Sequence, residues 1–478
     1  MGTILRHPGV LVVSTLLVVT LMVTASRTGQ PGPTITVSGT PWGTSTCSIG
    51  ATESNVRFDI DDLVEAGLTT YRIYGGMSRW EWEDDDGVYG TPTIEAIKAD
   101  PDVINWAWWD AAMTTPPQGS DYWWSGQDNV WEGNARTIFS ALQSAGIRPV
   151  LTLRNVDNFG DPAWAQSLNP PRFSEDWNEW WAHVFATVYW LNVHKGNDYR
   201  VDDFEVHNEP NSAGQGWGGT PEDYYAFIAY TYDAIRHVYE KYLSGRQFRV
   251  YAPVTGGGST WPREVMINTG ASFHTVDVHN YNADITGYTA QVRGWMAQYG
   301  KATAELWVSE WATYRGGYQA ASLGVTTVLN NLIRGARPGN THIDGSHLFT
   351  FYDWSGVQAF QGLVSATGTR LASFYAFRMG IRALNGCKTT YASTASNPNL
   401  LAITTQDAGG TVYLLVTNSA RQAAYTVDAD LSELLTAGSG TMWQFDATHD
   451  DEIVSALTLT NGHVTFMIPA MAAILIMF

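Results

Sequence analysis

Cysteine is almost absent from this sequence. The 478 residues include only Cys47 and Cys387, which excludes a small disulfide-rich scaffold and leaves too few thiols for a cysteine zinc site. Their spacing leaves two alternatives open, a disulfide joining distant parts of the chain or two free buried thiols.

Positive charge is also scarce. Lysine and arginine total 27 against 46 acidic residues, giving a formal net charge of −19. Binding to a phosphate backbone needs clustered cations, so the composition argues against nucleic acid as a partner, and we expect none. The sequence contains neither G-x-S-x-G nor H-E-x-x-H, which disfavours serine hydrolases and zinc hydrolases. We expect no metal and no cofactor.

Long apolar runs are missing except at the N-terminus. Arg6 precedes an apolar stretch at residues 10–25, which is shorter than the roughly 20 residues of a membrane-spanning helix. Small residues at 23–25 fit signal peptidase. We predict a signal peptide at residues 1–25, a secreted protein and no stable membrane association after cleavage, with an uncleaved anchor as the alternative.

Strand-like and helix-like segments alternate through the middle of the chain. Residues 26–39 form a linker that also offers a strand near Ile35, and eight strand-then-helix units follow within residues 40–386. Eight such units predict a (β/α)8 TIM barrel. Short strands with glycine turns over residues 387–478 predict a C-terminal antiparallel β-sandwich. Aromatic residues make up 13% of the chain, a content that argues against intrinsic disorder.

A long excursion at residues 77–129 interrupts the second unit. It contains seven tryptophans, whose indoles either stack on sugar faces or pack internally. An acidic run from Glu83 to Asp86 is either a calcium site or, as we favour, a solvated loop.

Two glutamates end apolar strands at matched positions. Glu209 closes the fourth predicted strand and Glu310 the seventh, 101 residues later; three units of about 31 residues span about 94. Glu205 lies about 13 Å down the strand from Glu209, and Glu305 faces away from Glu310. We therefore interpret Glu205 and Glu305 as structural charges and the other two as a catalytic pair.

Four motifs then resemble retaining glycoside hydrolases of clan A, and most closely glycoside hydrolase family 39. Residues 204–211 read FEVHNEPN, similar to the acid/base motif at the end of strand four. Residues 308–311 (VSEW) resemble the nucleophile segment. Residues 276–281 (VDVHNY) resemble the family's strand-six segment, and residues 349–354 (FTFYDW) resemble its strand-eight segment. The resemblance implies the same barrel, a carbohydrate substrate and no cofactor.

The resemblance also implies roles for individual residues. Glu209 would be the acid/base, and Glu310 the nucleophile about 5 to 5.5 Å away. Asn208 would bind the sugar 2-hydroxyl. Tyr281 would hold the nucleophile, and His279 would lie near the acid/base or a sugar hydroxyl, unless it is a core histidine.

Three further residues belong to this predicted site. Arg72 would support the nucleophile or pair with another acid, and Trp354 would stack on the sugar in subsite −1. His207 replaces the tryptophan that usually precedes the Asn in this family. Because it shares facing with Glu209, we expect it to alter a sugar subsite or the pKa of the acid.

These residues predict a secreted retaining glycosidase acting on β-linked polysaccharide or oligosaccharide. The long aromatic excursion favours endo action. One alternative is an exo-acting enzyme similar to β-xylosidases. A second alternative, of another class, is a carbohydrate-binding barrel that has lost catalysis.

Overall fold

The described parts of the computed structural model are residues 32–53, 57–80, 92–114, 134–154, 170–212, 217–281, 284–312, 321–353 and 362–478. All elements named below belong to one compact unit, Pro33–Phe478. The predicted signal peptide, Glu83 to Asp86 and Trp354 lie outside the described residues. Within the described ranges, no helix combines the length and the apolar character needed to cross a bilayer.

Eight parallel strands of the described chain close into a barrel, in chain order. The first strand of the chain, β1 (Thr34–Thr44), belongs to a different sheet. The barrel strands are β2 (Ser48–Thr52), β3 (Thr70–Tyr74), β4 (Arg148–Leu153), β5 (Asp203–Val206), β6 (Arg249–Thr255), β7 (Thr275–His279), β8 (Leu306–Trp311) and β9 (Gly345–Leu348). This confirms the predicted (β/α)8 TIM barrel, with β5 and β8 as its fourth and seventh strands.

Helices follow the barrel strands. They are α1 (Ile60–Ala66), α2 (Met77–Trp80), α3 (Ile94–Ala99), α4 (Trp106–Thr114), α5 (Ala135–Ala145), α6 (Ser174–Asn192), α7 (Pro221–Tyr242), α8 (Trp261–Thr269), α9 (Thr289–Gln298), α10 (Ala321–Ala336) and α11 (Ala372–Leu384). Local signals set their ends: Thr220 caps α7 by accepting from the Asp223 amide, and Gly146 ends α5 at a left-handed φ of 71°.

The second sheet confirms the predicted β-rich C-terminal domain. Its strands are β10 (Thr389–Ala395), β11 (Leu400–Gln406), β12 (Val412–Asn418), β13 (Tyr425–Asp430), β14 (Ala437–Phe445), β15 (Asp450–Thr460), β16 (His463–Ile468) and β17 (Ala472–Met477). In the described chain, these eight strands and β1 close into one nine-stranded sheet. β1 lies antiparallel to β10 and parallel to β13, so the strand expected near Ile35 is present.

Several element boundaries differ from prediction. β1 continues to Thr44 inside the second sheet, so the barrel begins at Ser48 and not at residue 40. β5 stops at Val206 and not at Glu209, because His207 and Glu209 adopt positive φ angles of 68° and 46° that a strand cannot contain.

The excursion at residues 77–129 is partly helical, since α2, α3 and α4 lie within it. Trp80 and Trp109 are buried in the core, and Trp106 stacks on Tyr189 of α6 at a centroid distance of 5.0 Å. These three indoles therefore pack internally and are not sugar platforms.

Cys47 and Cys387 form a disulfide, with their Cα atoms 4.1 Å apart. The bond joins the chain just before the first barrel strand to the chain just after the last barrel helix. Alongside it, the Ser45 amide donates to the Lys388 carbonyl at 2.8 Å. The disulfide alternative left open by the sequence is therefore the one found.

Ion pairs connect the last barrel helix to the second sheet. Asp451 of β15 is buried and accepts from Arg378 at 2.8 Å and from Arg382 at 2.9 Å, both on α11. Bidentate arginine contacts of this kind fix orientation as well as distance. The second domain is thereby held against the barrel.

Candidate active site

Glu209 lies at the carboxyl end of the barrel, three residues beyond β5. Its amide donates to the Val254 carbonyl of the next strand at 2.9 Å. Asn211 and Gly256 add a reciprocal pair, Nδ2 to the Gly256 carbonyl at 3.2 Å and the Gly256 amide to Oδ1 at 2.9 Å. A Cβ at position 256 would lie 3.3 Å from Glu209 Oε1, so this glycine permits the close approach. The loop is braced from two sides and presents the carboxylate to the barrel mouth.

Glu310 lies near the end of β8 and is almost fully buried. Arg72 Nη1 donates to its Oε1 at 2.5 Å, and the Tyr74 hydroxyl donates to the same oxygen at 2.6 Å. The Tyr281 hydroxyl donates to the other oxygen, Oε2. A buried carboxylate with this many donors is stabilised in its ionised form.

His279 bridges the two glutamates. Its Nδ1 lies 2.9 Å from Glu209 Oε1 and 3.3 Å from Glu310 Oε2. One possible metal-ligand atom from each of the three residues lies within 4.8 Å of the other two. The structure therefore brings together the two glutamates that the sequence paired across 101 residues.

This trio is the one group of its kind among the described residues that could hold a metal ion. Its ligand atoms already have partners inside the protein, and the Arg72 guanidinium occupies the position next to Glu310. A fixed cation beside the nucleophile candidate disfavours a second, divalent one.

The environment of Glu310 favours its ionised form. Burial by itself raises the pKa of Glu310, but the charges of His279 and Arg72 and the hydrogen bonds from Tyr281 and Tyr74 outweigh it, so the pKa is lowered. Burial likewise opposes the charge on His279, yet Glu310 and Glu209 raise its pKa above the ordinary value. These shifts favour a carboxylate at Glu310 and a protonated ring at His279.

Asn208 and Arg72 lie beside Glu310 and contact each other. Arg72 Nη2 donates to Asn208 Oδ1 at 2.9 Å, while its Nη1 contacts Glu310. Both side chains lie in the barrel interior beside the glutamate pair. Arg72 and Tyr281 contact Glu310, and His279 contacts both glutamates; the catalytic roles of these residues stay predictions.

The prediction for His207 is wrong in its geometry. The side chain is fully buried and its ring packs edge-on against Trp217 and Phe227 at centroid distances of 5.2 and 5.9 Å. Burial, with the Arg154 charge, lowers its pKa to about 3. The alternation of faces assumed for this position ends with β5 at Val206, so His207 offers no exposed surface to a sugar.

Sequence reasoning missed two members of the site. Tyr74, two residues after Arg72 on the same face of β3, was not identified, although strand alternation from Arg72 indicates it. Glu205 was interpreted as a remote structural charge. It is indeed structural, but Arg72 Nε donates to its Oε2 at 2.6 Å, which links it to Glu310 through one guanidinium.

Comparisons with known proteins point to glycoside hydrolases. Residues 206–376 match the sequence model of the family described as "Glycosyl hydrolase catalytic core". That span contains Asn208, Glu209, His279, Tyr281 and Glu310. The search of curated proteins found no sequence similar to this chain.

Solved glycosidase structures share the fold over nearly the whole chain. A GH39 enzyme from Xanthomonas axonopodis pv. citri is 15% identical, with a TM-score of 0.63 and coverage of 95% of this chain and 99% of its own. A GH30 endoxylanase from Clostridium papyrosolvens C71 is 14% identical (TM-score 0.62, coverage 93% and 99%). A monomeric β-xylosidase from Caulobacter crescentus CB15 is 16% identical, with a TM-score of 0.63 and coverage of 93% of this chain and 99% of its own. Family 39 is not singled out among them.

Proposed function

We propose that this protein is a retaining glycoside hydrolase. The observation that carries the proposal is the contrast between the two glutamates. Glu310 is buried and held by Arg72, Tyr74 and Tyr281, whereas Glu209 is partly exposed at the mouth. Two carboxylates in unlike environments are what a nucleophile and an acid/base require.

The separation of the carboxylates supports retention of anomeric configuration. Oxygens of Glu209 and Glu310 lie within 4.8 Å, while inverting enzymes leave about 6.5 to 9.5 Å for a water molecule and retaining enzymes about 5 to 5.5 Å. The short separation favours direct attack by one carboxylate on the anomeric carbon.

The reaction then has two steps. Glu310 attacks the anomeric carbon as Glu209 protonates the glycosidic oxygen, which releases the leaving sugar. Glu209 next takes a proton from water, which displaces Glu310 with a second inversion. Asn208, whose Oδ1 is already engaged by Arg72, would donate its amide hydrogen to the sugar 2-hydroxyl.

We further propose a β-linked polysaccharide or oligosaccharide as the substrate, with endo action and membership of glycoside hydrolase family 39. The sequence motifs support the family. Because Trp80, Trp106 and Trp109 pack internally, support for endo action rests on the rest of the excursion, and an exo-acting β-xylosidase-like enzyme is the alternative. Secretion is supported by the predicted signal peptide and by the disulfide, which suits an oxidising compartment.

A reducing-sugar screen on polysaccharides of defined linkage tests the proposed function. The wild type should release sugar from at least one β-linked substrate, and proton NMR should show the β-anomer as the first product. The Glu209→Gln, Glu310→Gln double variant is the matched control and should release none. Monosaccharide as the first product would establish exo action. Glycan binding without any release would instead favour a non-catalytic binding barrel.

A further inference from the structure

A second pair of carboxyl side chains lies in the barrel interior beneath the glutamate pair. Glu205 of β5 and Asp277 of β7 are both fully buried, and β6 separates their strands. In a barrel, side chains from alternate strands share one layer. The reaction described above uses neither residue.

Each of these carboxyl groups is anchored through one oxygen. Glu205 Oε2 accepts from Arg72 Nε at 2.6 Å and from Thr152 Oγ1 at 2.7 Å. Asp277 Oδ1 accepts from the Ser309 amide at 3.1 Å. Ser309 lies where the pairing of β7 with β8 shifts register, one residue before Glu310.

The other oxygen of each group receives no hydrogen bond. Glu205 Oε1 and Asp277 Oδ2 are buried, and no donor in the described parts of the chain reaches either atom. His279 Nε2 is a third buried polar atom in this state. Buried acceptors without donors are costly, and a proton on one of the carboxyls would remove one such ionised acceptor.

The charges around Asp277 favour its neutral form. Burial, followed by the negative charge of Glu205, raises the pKa of Asp277 to about 8, against the opposing effects of the His279 and Arg72 charges and of the Ser309 side chain. Tyr224 of α7 also faces the pair. Its pKa is raised by burial and by the charges of Asp277 and Glu205, so the phenol stays neutral. Two like charges in one dry site do not both ionise easily.

We propose that Asp277 is protonated in the working enzyme and forms with Glu205 a one-proton acid pair that positions Arg72 and His279 beneath the catalytic glutamates. The cations Arg72 and His279 then face Glu205 below and the catalytic glutamates above. A further anion at Asp277 would pull both cations downward, away from Glu310 and Glu209. Asp277 and Glu205 are thus positioning residues. This proposal deepens the proposed function and rests on it only for the activity measurement below.

Infrared difference spectroscopy on the full chain tests the proton directly. Raising the pH from about 6 to about 10, a range in which ordinary carboxyls are already ionised, should remove a protonated-carboxyl C=O band with a midpoint near pH 8. The band should be absent in Asp277→Asn. It should persist in Asp203→Asn, the matched control, because Asp203 is equally buried on β5 but paired with Arg148 and Arg249.

Glu205→Gln tests whether Asp277 is coupled to Glu205 or is protonated by burial alone. Removing the neighbouring negative charge should move the midpoint of the Asp277 band to lower pH. An unchanged midpoint in Glu205→Gln would overturn the claim that Asp277 is paired with Glu205. Absence of the band in the wild type would overturn the claim that Asp277 is protonated. These readings need no substrate, so they stand even if the chain hydrolyses no glycoside.

The activity measurement follows the acidic limb of the pH profile of kcat/KM. Asp277→Asn copies the protonated form, so the limb should stay within about half a pH unit of the wild type. If Asp277 were ionised, neutralising it would lower the pKa of Glu310 and move the limb to lower pH by more than that. Glu205→Gln frees Arg72 from its anchor and should lower kcat/KM by about 10- to 100-fold.

Discussion

Arg72 Nη1 lies 2.5 Å from Glu310 Oε1 in the barrel interior, and neither side chain has more than 4% of its surface exposed. A buried ion pair of this kind costs desolvation energy, which only close geometry and further hydrogen bonds offset. Here those hydrogen bonds come from Tyr74 and Tyr281. The arrangement keeps one carboxylate ionised and fixed in direction, which is what a nucleophile needs.

Glu310→Ala should lower turnover by about 10⁴-fold or more, because the attacking carboxylate is gone. Azide should restore part of the activity by entering the vacated space, giving a glycosyl azide of inverted configuration. Proton NMR of the product checks the configuration. Glu305→Ala is the control, since Glu305 precedes β8 and pairs with Arg249 on the far side. Absence of azide rescue in a folded Glu310→Ala protein would count against the nucleophile assignment.

Glu209→Ala should separate substrates by their leaving groups. Unactivated glycosides should lose about 10²- to 10⁴-fold in kcat/KM, because the leaving oxygen receives no proton. Aryl glycosides with acidic phenols should react at nearly the wild-type rate in the first step. Azide should then give a glycosyl azide of retained configuration. The comparison of the two substrate classes is its own control, and equal losses on both would contradict the acid role.

Tyr74→Phe and Tyr281→Phe should each move the acidic limb of kcat/KM to higher pH. Both hydroxyls donate to Glu310, so their removal destabilises the ionised form and raises the pKa of the nucleophile. A hydrogen bond to a charged group is worth about 1.5 to 3 kcal/mol, or about one to two pH units. Tyr413→Phe, which removes a hydroxyl bound to Asp407 in the second domain, should leave the limb in place. A limb that moves equally in all three variants would contradict this account.

Loss of the Cys47–Cys387 disulfide should lower the free energy of unfolding by about 2 to 5 kcal/mol, because the unfolded chain regains the freedom of a very long loop. Differential scanning calorimetry of the Cys47→Ser, Cys387→Ser double variant measures the effect. Dithiothreitol should lower the melting temperature of the wild type and leave that of the double variant unchanged. Equal melting temperatures for wild type and variant would show that the bond contributes no stability.

Much of the fold follows from local sequence signals. Apolar strand segments of regular spacing, helix stops such as Gly67 and Gly146, and the cap at Thr220 act within a few residues, so their positions could be predicted. Topology then carried the prediction further. Parallel strands end at one mouth, which is why Glu209 and Glu310 could be paired across 101 residues.

What the sequence determined by itself was therefore the barrel, the β-rich second domain and the two glutamates. The tertiary structure decided which charged groups contact one another. Only it shows that Arg72 contacts Glu205 and Glu310 at once, and that the chain leaves strand geometry at His207 and turns that ring toward Trp217. Alternation along a strand predicts the face on which a side chain lies but not how deeply it is buried. The alternation also fails where a residue adopts a positive φ. Contacts across the barrel interior depend on side-chain reach and burial, which no local pattern records.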